Sequence, residues 1–291
     1  MVIPLAPGGG TDTIGRGLAA RLAALWGQSV VIENKPGSGT IIGAMEVAKA
    51  APDGYTLFFT EPATFVINPH IYPKLPYDPI ADFAPITIVC RLSPVLAVSN
   101  AVPANNMKEL IAYARANPGK LSYGTFGSGS YPHVAMEHFK KLTGTDILHV
   151  PYKGSAPAMP ALFSGELSML FINMSVFEPH LKAGRLKVLA AGTEKRLQLH
   201  PNIPTISETV PGFVINAWFA LAAPARTPPA ILDKVQQDVV KVLAEPEFVE
   251  KFLKPQSVEG DGRTRQEFAA FLKRELAAWG EMARSSGAKA E

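Results

Sequence analysis

The hydrophobic and polar positions along the chain predict a series of strand–helix units. In the first part, an apolar run is followed by a proline and three glycines, and Leu18, Leu22 and Leu25 then recur at helical spacing. Three strand–helix units in succession indicate a parallel α/β sheet with right-handed crossovers. The predicted elements here are a strand over 2–5, a helix over 11–26, a buried strand over 29–33, a helix around 41–47 and a strand over 55–60.

The same order of elements recurs farther along the chain. Two long apolar runs, 86–98 and 213–223, flank this second block and are candidates for strands that cross between two lobes. The predicted strands of the block cover 121–126, 147–152, 167–173 and 186–191, and its helices cover 106–117, 131–142 and a segment from 156 onward. Three helical patterns complete the chain over 229–243, 246–252 and 264–282, with a short strand over 256–259.

We therefore predict two α/β lobes joined by two crossing strands. Lobe 1 comprises residues 1–99 and 222–291, and lobe 2 comprises residues 100–221. Because ligands of open α/β sheets lie beyond the carboxyl ends of the parallel strands, the predicted ligand cleft lies between the lobes.

Composition excludes several classes of protein. The formal charge of +3, from 28 basic and 25 acidic residues, is too mild to indicate nucleic-acid binding. Cys90 is the only cysteine, so a disulfide and a cysteine-based metal site are both excluded. No apolar stretch reaches the roughly 20 residues of a membrane span. The chain has no export signal and begins almost inside its first strand, so we expect that a preceding segment is removed.

The glycine turn near the start of the chain is the strongest candidate for a binding site. Gly8, Gly9 and Gly10 separate a strand from a helix, and the first amides of a helix attract anions. Thr11 or Asp12 is the expected N-cap. A carboxylate at this point disfavours a doubly charged phosphate and favours carboxylate ligands. Gly37-x-Gly39 and Gly127-x-Gly129 are similar turns, although any tight turn can use glycine for structure alone.

Other kinds of site have weaker support. No phosphate-binding G-x-x-x-x-G-K-[S/T] string occurs, and the G-x-G-x-x-A string from Gly15 to Ala20 lies inside a helix pattern, which disfavours a dinucleotide site. The spacing of His133, Glu137 and His138 is not that of a zinc site. Ser128 and Ser130 lack a nucleophile motif, so hydroxyl donation and helix capping are the expected roles. We predict no catalytic residue, metal or cofactor.

Six sequence strings together resemble the Bug family, the TctC-like substrate-binding proteins of tripartite tricarboxylate transporters. They run in the family's order over essentially the whole chain. The strings are PGGxxD at 7–12, VIENKPG at 31–37, PDGYT at 52–56, NPGKL at 117–121, HVPYKG at 149–154 and PTISE at 204–208. The resemblance implies a two-lobed fold like that of periplasmic binding proteins, which closes over a small organic acid.

The resemblance also implies a set of ligand-binding residues. Backbone amides, hydroxyls and ordered waters are expected to hold the carboxylates. Glu61, Pro62 and Phe126 are expected to vary with the ligand, and Trp218 and Phe219 fit hinge packing as well as ligand contact. Lobe 1 supplies Gly8, Gly9, Gly10, Thr11, Asp12, Gly39, Thr40, Thr60, Glu61, Pro62 and Thr64; lobe 2 supplies Phe126, Gly127, Ser128, Gly129, Ser130, His133, Lys153, Gly154 and Asn173; and the crossing strand supplies Trp218 and Phe219.

The favoured function is therefore that of a monomeric periplasmic receptor without catalytic activity. It is expected to capture a small organic acid, either a dicarboxylate or an aromatic carboxylate, and to deliver it to a membrane permease. An α/β enzyme that uses the same cleft, such as an NAD-type dehydrogenase or a transferase, is one alternative. A ligand sensor for a signalling system is another.

Overall fold

The computed structural model describes residues 1–127, 129–152 and 154–287, without the side chains of residues 156, 285 and 286. The chain divides into two compact units. Unit 1 consists of Met1–Leu92 and Trp218–Gly280, and unit 2 consists of Ser93–Ala217 and the segment that begins at Glu281. No helix in the described residues is both long enough and apolar enough to span a membrane.

Short strands and longer helices alternate along the chain. The strands are β1 (Val2–Ile3), β2 (Glu33–Asn34), β3 (Phe58–Thr60), β4 (Phe83–Arg91), β5 (Pro94–Ser99), β6 (Leu121–Thr125), β7 (Ile147–Pro151), β8 (Met169–Asn173), β9 (Leu186–Ala191), β10 (Trp218–Pro224) and β11 (Glu259–Gly260). The α-helices are α1 (Gly10–Trp26), α2 (Ile41–Ala48), α3 (Asn68–Ile71), α4 (Met107–Ala116), α5 (Tyr131–Thr143), α6 (Ser155–Ser164), α7 (Met174–Lys182), α8 (Pro229–Leu243), α9 (Pro246–Phe248) and α10 (Arg265–Ser286).

The sheet of unit 1 has the strand order β11-β4-β10-β3-β1-β2. Its first three strands in sequence are parallel, since β1 pairs with both β2 and β3 in that sense. The later strand β10 runs antiparallel between β3 and β4. The predicted α/β fold is confirmed, and the sheet is mixed because the chain re-enters unit 1 after completing unit 2.

Unit 2 repeats this arrangement with the strand order β7-β6-β8-β5-β9. Strand β6 is parallel to β7 and β8, while β5 runs antiparallel between β8 and β9. A buried apolar cluster lies between this sheet and its helices, and it includes Leu162, Leu170, Ile172 and Phe177. The parallel group of unit 1 thus has two antiparallel neighbours, β10 and β11, and that of unit 2 has one, β5.

Several of the predicted strands differ in the structure. The apolar run 86–98 is not one strand but two, because β4 ends at Arg91 in one sheet and β5 begins at Pro94 in the other. Ser93 lies at the break, where its amide donates to Asn173 Oδ1 at 2.7 Å. The strand expected over 29–33 is reduced to the two residues of β2, Glu33–Asn34, at the edge of the sheet, and Val31 before it is 65% exposed.

The second crossing strand begins later than predicted. Strand β10 starts at Trp218, whereas Phe213 lies in a loop of unit 2 and is fully buried. Its ring packs edge-on against Phe139 and Phe171, with ring centroids 5.9 and 5.8 Å apart. A buried apolar loop has the same hydrophobic pattern as a buried strand, so the sequence pattern alone does not distinguish the two.

The glycines inside α1 have a packing role rather than a nucleotide-binding role. A Cβ atom at Gly15 would lie 2.7 Å from Ile3 Cδ1 and 3.1 Å from Phe59 Cδ1, both fully buried. At Gly17 the same atom would lie 2.5 Å from Phe252 Cδ1. These glycines therefore let the helix approach its neighbours closely.

We predict that Gly15→Val lowers the free energy of unfolding by about 2 kcal/mol, because overpacking a filled interior costs about 1–3 kcal/mol. The matched control is Ala24→Val on the exposed side of the same helix, where the expected change is about 0.5 kcal/mol from helix propensity alone. Urea unfolding measures both. Equal losses in the two variants would contradict close packing at Gly15.

Candidate functional site

The first glycine turn leads into α1 and leaves several amides without partners. Gly8 has φ +88°, a backbone conformation that favours glycine, and Gly9 is extended. Among the described residues, none accepts a hydrogen bond from the amides of Gly9, Gly10 or Thr11. Gly8 and Gly9 are exposed. The start of this 17-residue helix is thus able to bind an anion.

Asp12 holds this turn in place, although not as the predicted cap. The N-cap is Gly9, so the prediction of Thr11 or Asp12 at that position is wrong. The Asp12 carboxylate lies inside the first turn and accepts hydrogen bonds from the Gly8 amide at 3.0 Å, from Arg16 Nε at 2.9 Å and from Asn34 Nδ2 at 3.0 Å. Burial opposes its ionisation, but these hydrogen bonds outweigh that effect and lower the pKa of Asp12.

A second turn in unit 1, residues 37–40, has a strained backbone. Ser38, Gly39 and Thr40 have φ values of +47°, +59° and +79°. A β-branched residue such as Thr40 rarely adopts this conformation, at a cost of about 1–3 kcal/mol. Asn68 Nδ2 donates to Gly39 O at 2.7 Å, and a Cβ atom at Gly39 would lie 2.9 Å from the Tyr72 hydroxyl. Contacts from α3 and the segment after it therefore hold this turn.

Buried hydroxyls link this turn to the end of β3. Thr64 Oγ1 lies 2.9 Å from Thr40 Oγ1 and 2.7 Å from Thr60 Oγ1. The Tyr77 hydroxyl donates to Thr64 O at 2.8 Å, and Asn68 Nδ2 donates to the same hydroxyl at 3.1 Å. Asn68 Oδ1 is buried and has no partner in the described part of the chain. The three predicted threonines are thus brought together, and their contact with a ligand stays a prediction.

Glu61 directly follows these hydroxyls at the end of β3. The residue is only 6% exposed. Within the described residues, its carboxyl group has no hydrogen-bond or ion-pair partner. Burial alone raises the pKa of Glu61 to about 7. The next residue, Pro62, is also buried.

Unit 2 has its own glycine turn before α5. Gly127 and Gly129 have φ values of +109° and +84°. The Gly129 amide donates to His133 Nδ1 at 3.1 Å, and Ser130 Oγ donates to Gly127 O at 2.7 Å. Ser130 is the N-cap residue by position, but its side chain makes no capping hydrogen bond. Ser128, also predicted here, lies outside the described residues.

A stack of rings supports this second turn. The rings of His133 and His149 are 4.3 Å apart at 20°, and His149 stacks on Tyr123 at 5.1 Å. Thr125 Oγ1 lies 2.7 Å from His149 Nε2. Burial, followed by the charges of His149 and Lys140, lowers the pKa of His133 to about 4. Neutral His133 therefore accepts from Gly129 and positions the turn.

The remaining predicted residues of unit 2 have mixed surroundings. Phe126 is half-buried and contacts Tyr131 edge-on, with ring centroids 6.2 Å apart. Gly154 has φ +128° at the start of α6, while Lys153 lies outside the described residues. Asn173 accepts from the Ser93 amide and thereby fixes the segment between β4 and β5.

The two aromatic residues predicted on β10 lie in the core of unit 1. Trp218 is 1% exposed and packs against Phe65 and Phe268, with ring centroids 6.3 and 5.8 Å away. Phe219 contacts Phe59 edge-on at 5.8 Å. These surroundings favour packing, the structural role that the sequence left open for both.

Sequence reasoning missed the residues that support the turns. Asn34 bonds to Asp12 and to Leu5 O, and it ends a parallel strand, where polar side chains often serve a site. Asn68 and Tyr77 carried no comparable signal, because they act through contacts with distant residues. Among the described residues, no group of three or more His, Cys, Asp or Glu side chains is placed to hold a metal ion.

The chain is similar to known proteins over nearly its whole length. The family model described as the tripartite tricarboxylate transporter family receptor, TctC, matches residues 14–287. The protein BugT of Bordetella pertussis is 33% identical over 291 residues, which cover 99% of this chain and 89% of that protein.

Solved structures share the fold at substantial sequence identity. Rpa4515 of R. palustris, solved with adipate, has a TM-score of 0.93 and 35% identity, covering 100% of this chain and 97% of that one. The periplasmic binding protein BugD has a TM-score of 0.89 and 31% identity, covering 100% and 98%. MatC (Rpa3494) of Rhodopseudomonas palustris, with bound malate, has a TM-score of 0.88 and 29% identity, covering 97% of each chain.

We predict that His133 makes stability depend on pH. The folded-state pKa of His133 is about 4, below the roughly 6.5 of an unfolded chain. The contribution of neutral His133 to the free energy of unfolding is therefore fully present above about pH 6.5 and is lost as the pH falls toward 4. Between pH 7 and pH 5, this residue should lower the free energy of unfolding by up to about 2 kcal/mol.

Chemical unfolding at both pH values measures this loss. His133→Gln should reduce it, because the glutamine oxygen accepts from Gly129 without titrating. His180→Gln, at a half-buried position on α7, is the matched control and should keep the wild-type difference. An unchanged difference in His133→Gln would contradict the role of a buried neutral His133.

Proposed function

The chain belongs to the family of tripartite tricarboxylate transporter receptors, and from this premise we propose that it is a periplasmic receptor for a small organic carboxylate. The relatives solved with adipate and malate support a ligand of this class. The family and its structural neighbours are solute-binding proteins, which favours a role without catalysis and gives the enzyme alternative no support.

The observation that carries the proposal is the free N-terminus of α1. The amides of Gly9, Gly10 and Thr11 have no acceptor in the described residues, and the helix dipole adds a partial positive charge there. A carboxylate satisfies such amides without a lysine or arginine. Asp12 does not prevent this, because its charge is paired with Arg16 and hydrogen-bonded inside the turn.

We propose a dicarboxylate or an aromatic carboxylate as the ligand. Gly8, Gly9 and Gly10 precede α1 in unit 1, and Gly127 and Gly129 precede α5 in unit 2. Adipate and malate, with which two relatives were solved, are both dicarboxylates. In unit 2, the neutral ring of His133 accepts a hydrogen bond from Gly129 and positions the turn before α5.

The partner of the receptor, in this proposal, is the membrane permease of a tripartite tricarboxylate transporter, and the receptor acts as a monomer. A sensor role would use the same ligand site with a signalling protein as partner. Loss of carboxylate uptake in a deletion strain separates the two, because a sensor of another system leaves uptake unchanged.

A thermal-shift screen against mono-, di- and tricarboxylates tests the function. A ligand present at 100 times its Kd stabilises the folded state by about 2.7 kcal/mol, which raises the melting temperature by several degrees. We expect the largest shift from a dicarboxylate or an aromatic carboxylate. No shift from any acid of the panel would contradict the proposal.

We predict that Gly9→Val abolishes carboxylate binding and leaves the fold intact. A Cβ atom at Gly9 meets nothing within 4 Å, and the backbone there is extended, so the chain accommodates valine. The added methyl groups would occupy the space in front of the helix amides. Calorimetric titration should show at least a tenfold loss of affinity, which is about 1.4 kcal/mol.

Ala24→Val on the same helix is the matched control and should bind normally. The melting temperature of each variant without ligand shows whether the fold is retained. Normal affinity in a folded Gly9→Val protein would mean that the first turn has a structural role only.

A further inference from the structure

Glu61 follows β3, the parallel neighbour of β1, so it lies at the same edge of the sheet as the glycine turn before α1, and it has no counter-ion among the described residues. The residue follows Thr60, whose hydroxyl is bonded to Thr64 Oγ1 beside the strained turn at Thr40. It is only 6% exposed, and no described residue pairs with its carboxyl group. With so little exposure and no counter-ion, the ionised form is disfavoured, although the carboxyl oxygens are not among the fully buried, unpartnered polar atoms of the described residues.

The charged groups of the surrounding elements do not neutralise Glu61. The main elements packed against the end of β3 and the turn after it are β1, β10, α1, α3 and the 38–40 turn. The ionisable residues of these elements are Asp12, Arg16, Arg21 and His70, and those of the segment after α3 are Tyr72, Lys74, Tyr77, Asp78 and Asp82, of which Lys74 and Asp78 are exposed and Asp82 is half-buried. Asp12 pairs with Arg16, Arg21 pairs with Glu245, and His70 Nε2 is bonded to Leu276 O.

None of these groups shifts the pKa of Glu61, for which burial is the only cause. Burial favours the neutral acid, which is both a hydrogen-bond donor and an acceptor. A second anion brought close to Glu61 would favour the neutral acid further, because two carboxylates at one site cannot both ionise without strong repulsion. An approaching carboxylate therefore selects the protonated form.

We propose that protonated Glu61 donates a hydrogen bond to a carboxylate of the ligand, so that the receptor binds its ligand together with one proton. This inference rests on the proposed function. The proton stays on the Glu61 carboxyl group, no covalent bond changes, and solvent supplies the proton when Glu61 is ionised before binding. Glu61 is then a specificity-determining residue that favours a carboxylate at this position over an ammonium group.

The opposite state of Glu61 would select different ligands. An ionised Glu61 would repel a carboxylate and would need a donor on the ligand, such as the ammonium group of an amino acid. The two states give opposite dependences on pH, because protonation of Glu61 strengthens binding in the first case and weakens it in the second.

Calorimetric titration with adipate and with malate between pH 7 and pH 9 tests the inference. Since the pKa of Glu61 is about 7, the protonated fraction falls about 50-fold over this range, and the affinity should fall by the same factor. Glu61→Gln should reduce this ratio to about 1, because glutamine is a donor that does not titrate. Glu247→Gln, at an exposed position of unit 1, should keep the wild-type ratio.

Proton uptake by the wild-type protein gives a measurement that does not depend on a variant. Titrations at pH 8 in two buffers with different heats of ionisation should show about one proton taken up per ligand bound. Binding without proton uptake, affinity that is independent of pH, or loss of binding in a folded Glu61→Gln protein would overturn the inference. So would an amino acid that binds more tightly as the pH rises.

Failure of this inference is distinguishable from failure of the proposed function. If adipate or malate binds without coupling to protons, the receptor function stands and the role of Glu61 is wrong. If neither acid binds at pH 7, the inference is overturned, and the thermal-shift panel then decides whether the proposed function is lost as well.

Discussion

Unsatisfied amides at the start of α1 are the feature on which the chemistry of unit 1 depends. A helix leaves its first N–H groups without internal partners, and most proteins satisfy them with a capping side chain. Here Gly9 replaces such a side chain, and Asp12 turns its carboxylate to Gly8, Arg16 and Asn34 instead. These hydrogen bonds hold the turn in place, while the amides of Gly9, Gly10 and Thr11 have no acceptor in the described residues.

The rest of each site keeps a glycine turn in one conformation. In unit 1, the buried hydroxyl of Thr64 is bonded to those of Thr40 and Thr60 and so holds Thr40, although the backbone of Thr40 is strained. In unit 2, the neutral ring of His133 accepts from Gly129. These supporting groups carry little net charge, so the sites keep the positive potential of the helix ends. Glu61 is the exception, because we expect its acid group to distinguish a carboxylate ligand from an ammonium group.

The sequence predicted the elements that are local and missed the relations that are long-range. The glycine turn and α1 follow from spacing and turn chemistry, and these were correct to within a residue or two. The N-cap was wrong because Thr11 and Asp12 are good caps in general, whereas tertiary hydrogen bonds take Asp12 elsewhere. The sequence pattern did not predict the strained backbone of Thr40, because the hydroxyl that holds it, that of Thr64, lies 24 residues away along the chain. The antiparallel entry of β10 likewise depends on topology rather than on pattern.

Binding of a carboxylate by the free amides at the start of α1 is tested most directly by a nuclear magnetic resonance titration of the amide groups. Addition of adipate, or of the acid with the largest thermal shift, should move the amide signals of Gly9, Gly10 and Thr11. The signal of Gly27, at the other end of the helix, should move little. If the acid binds and the amides of the first turn do not respond, the anion lies elsewhere and the account is wrong.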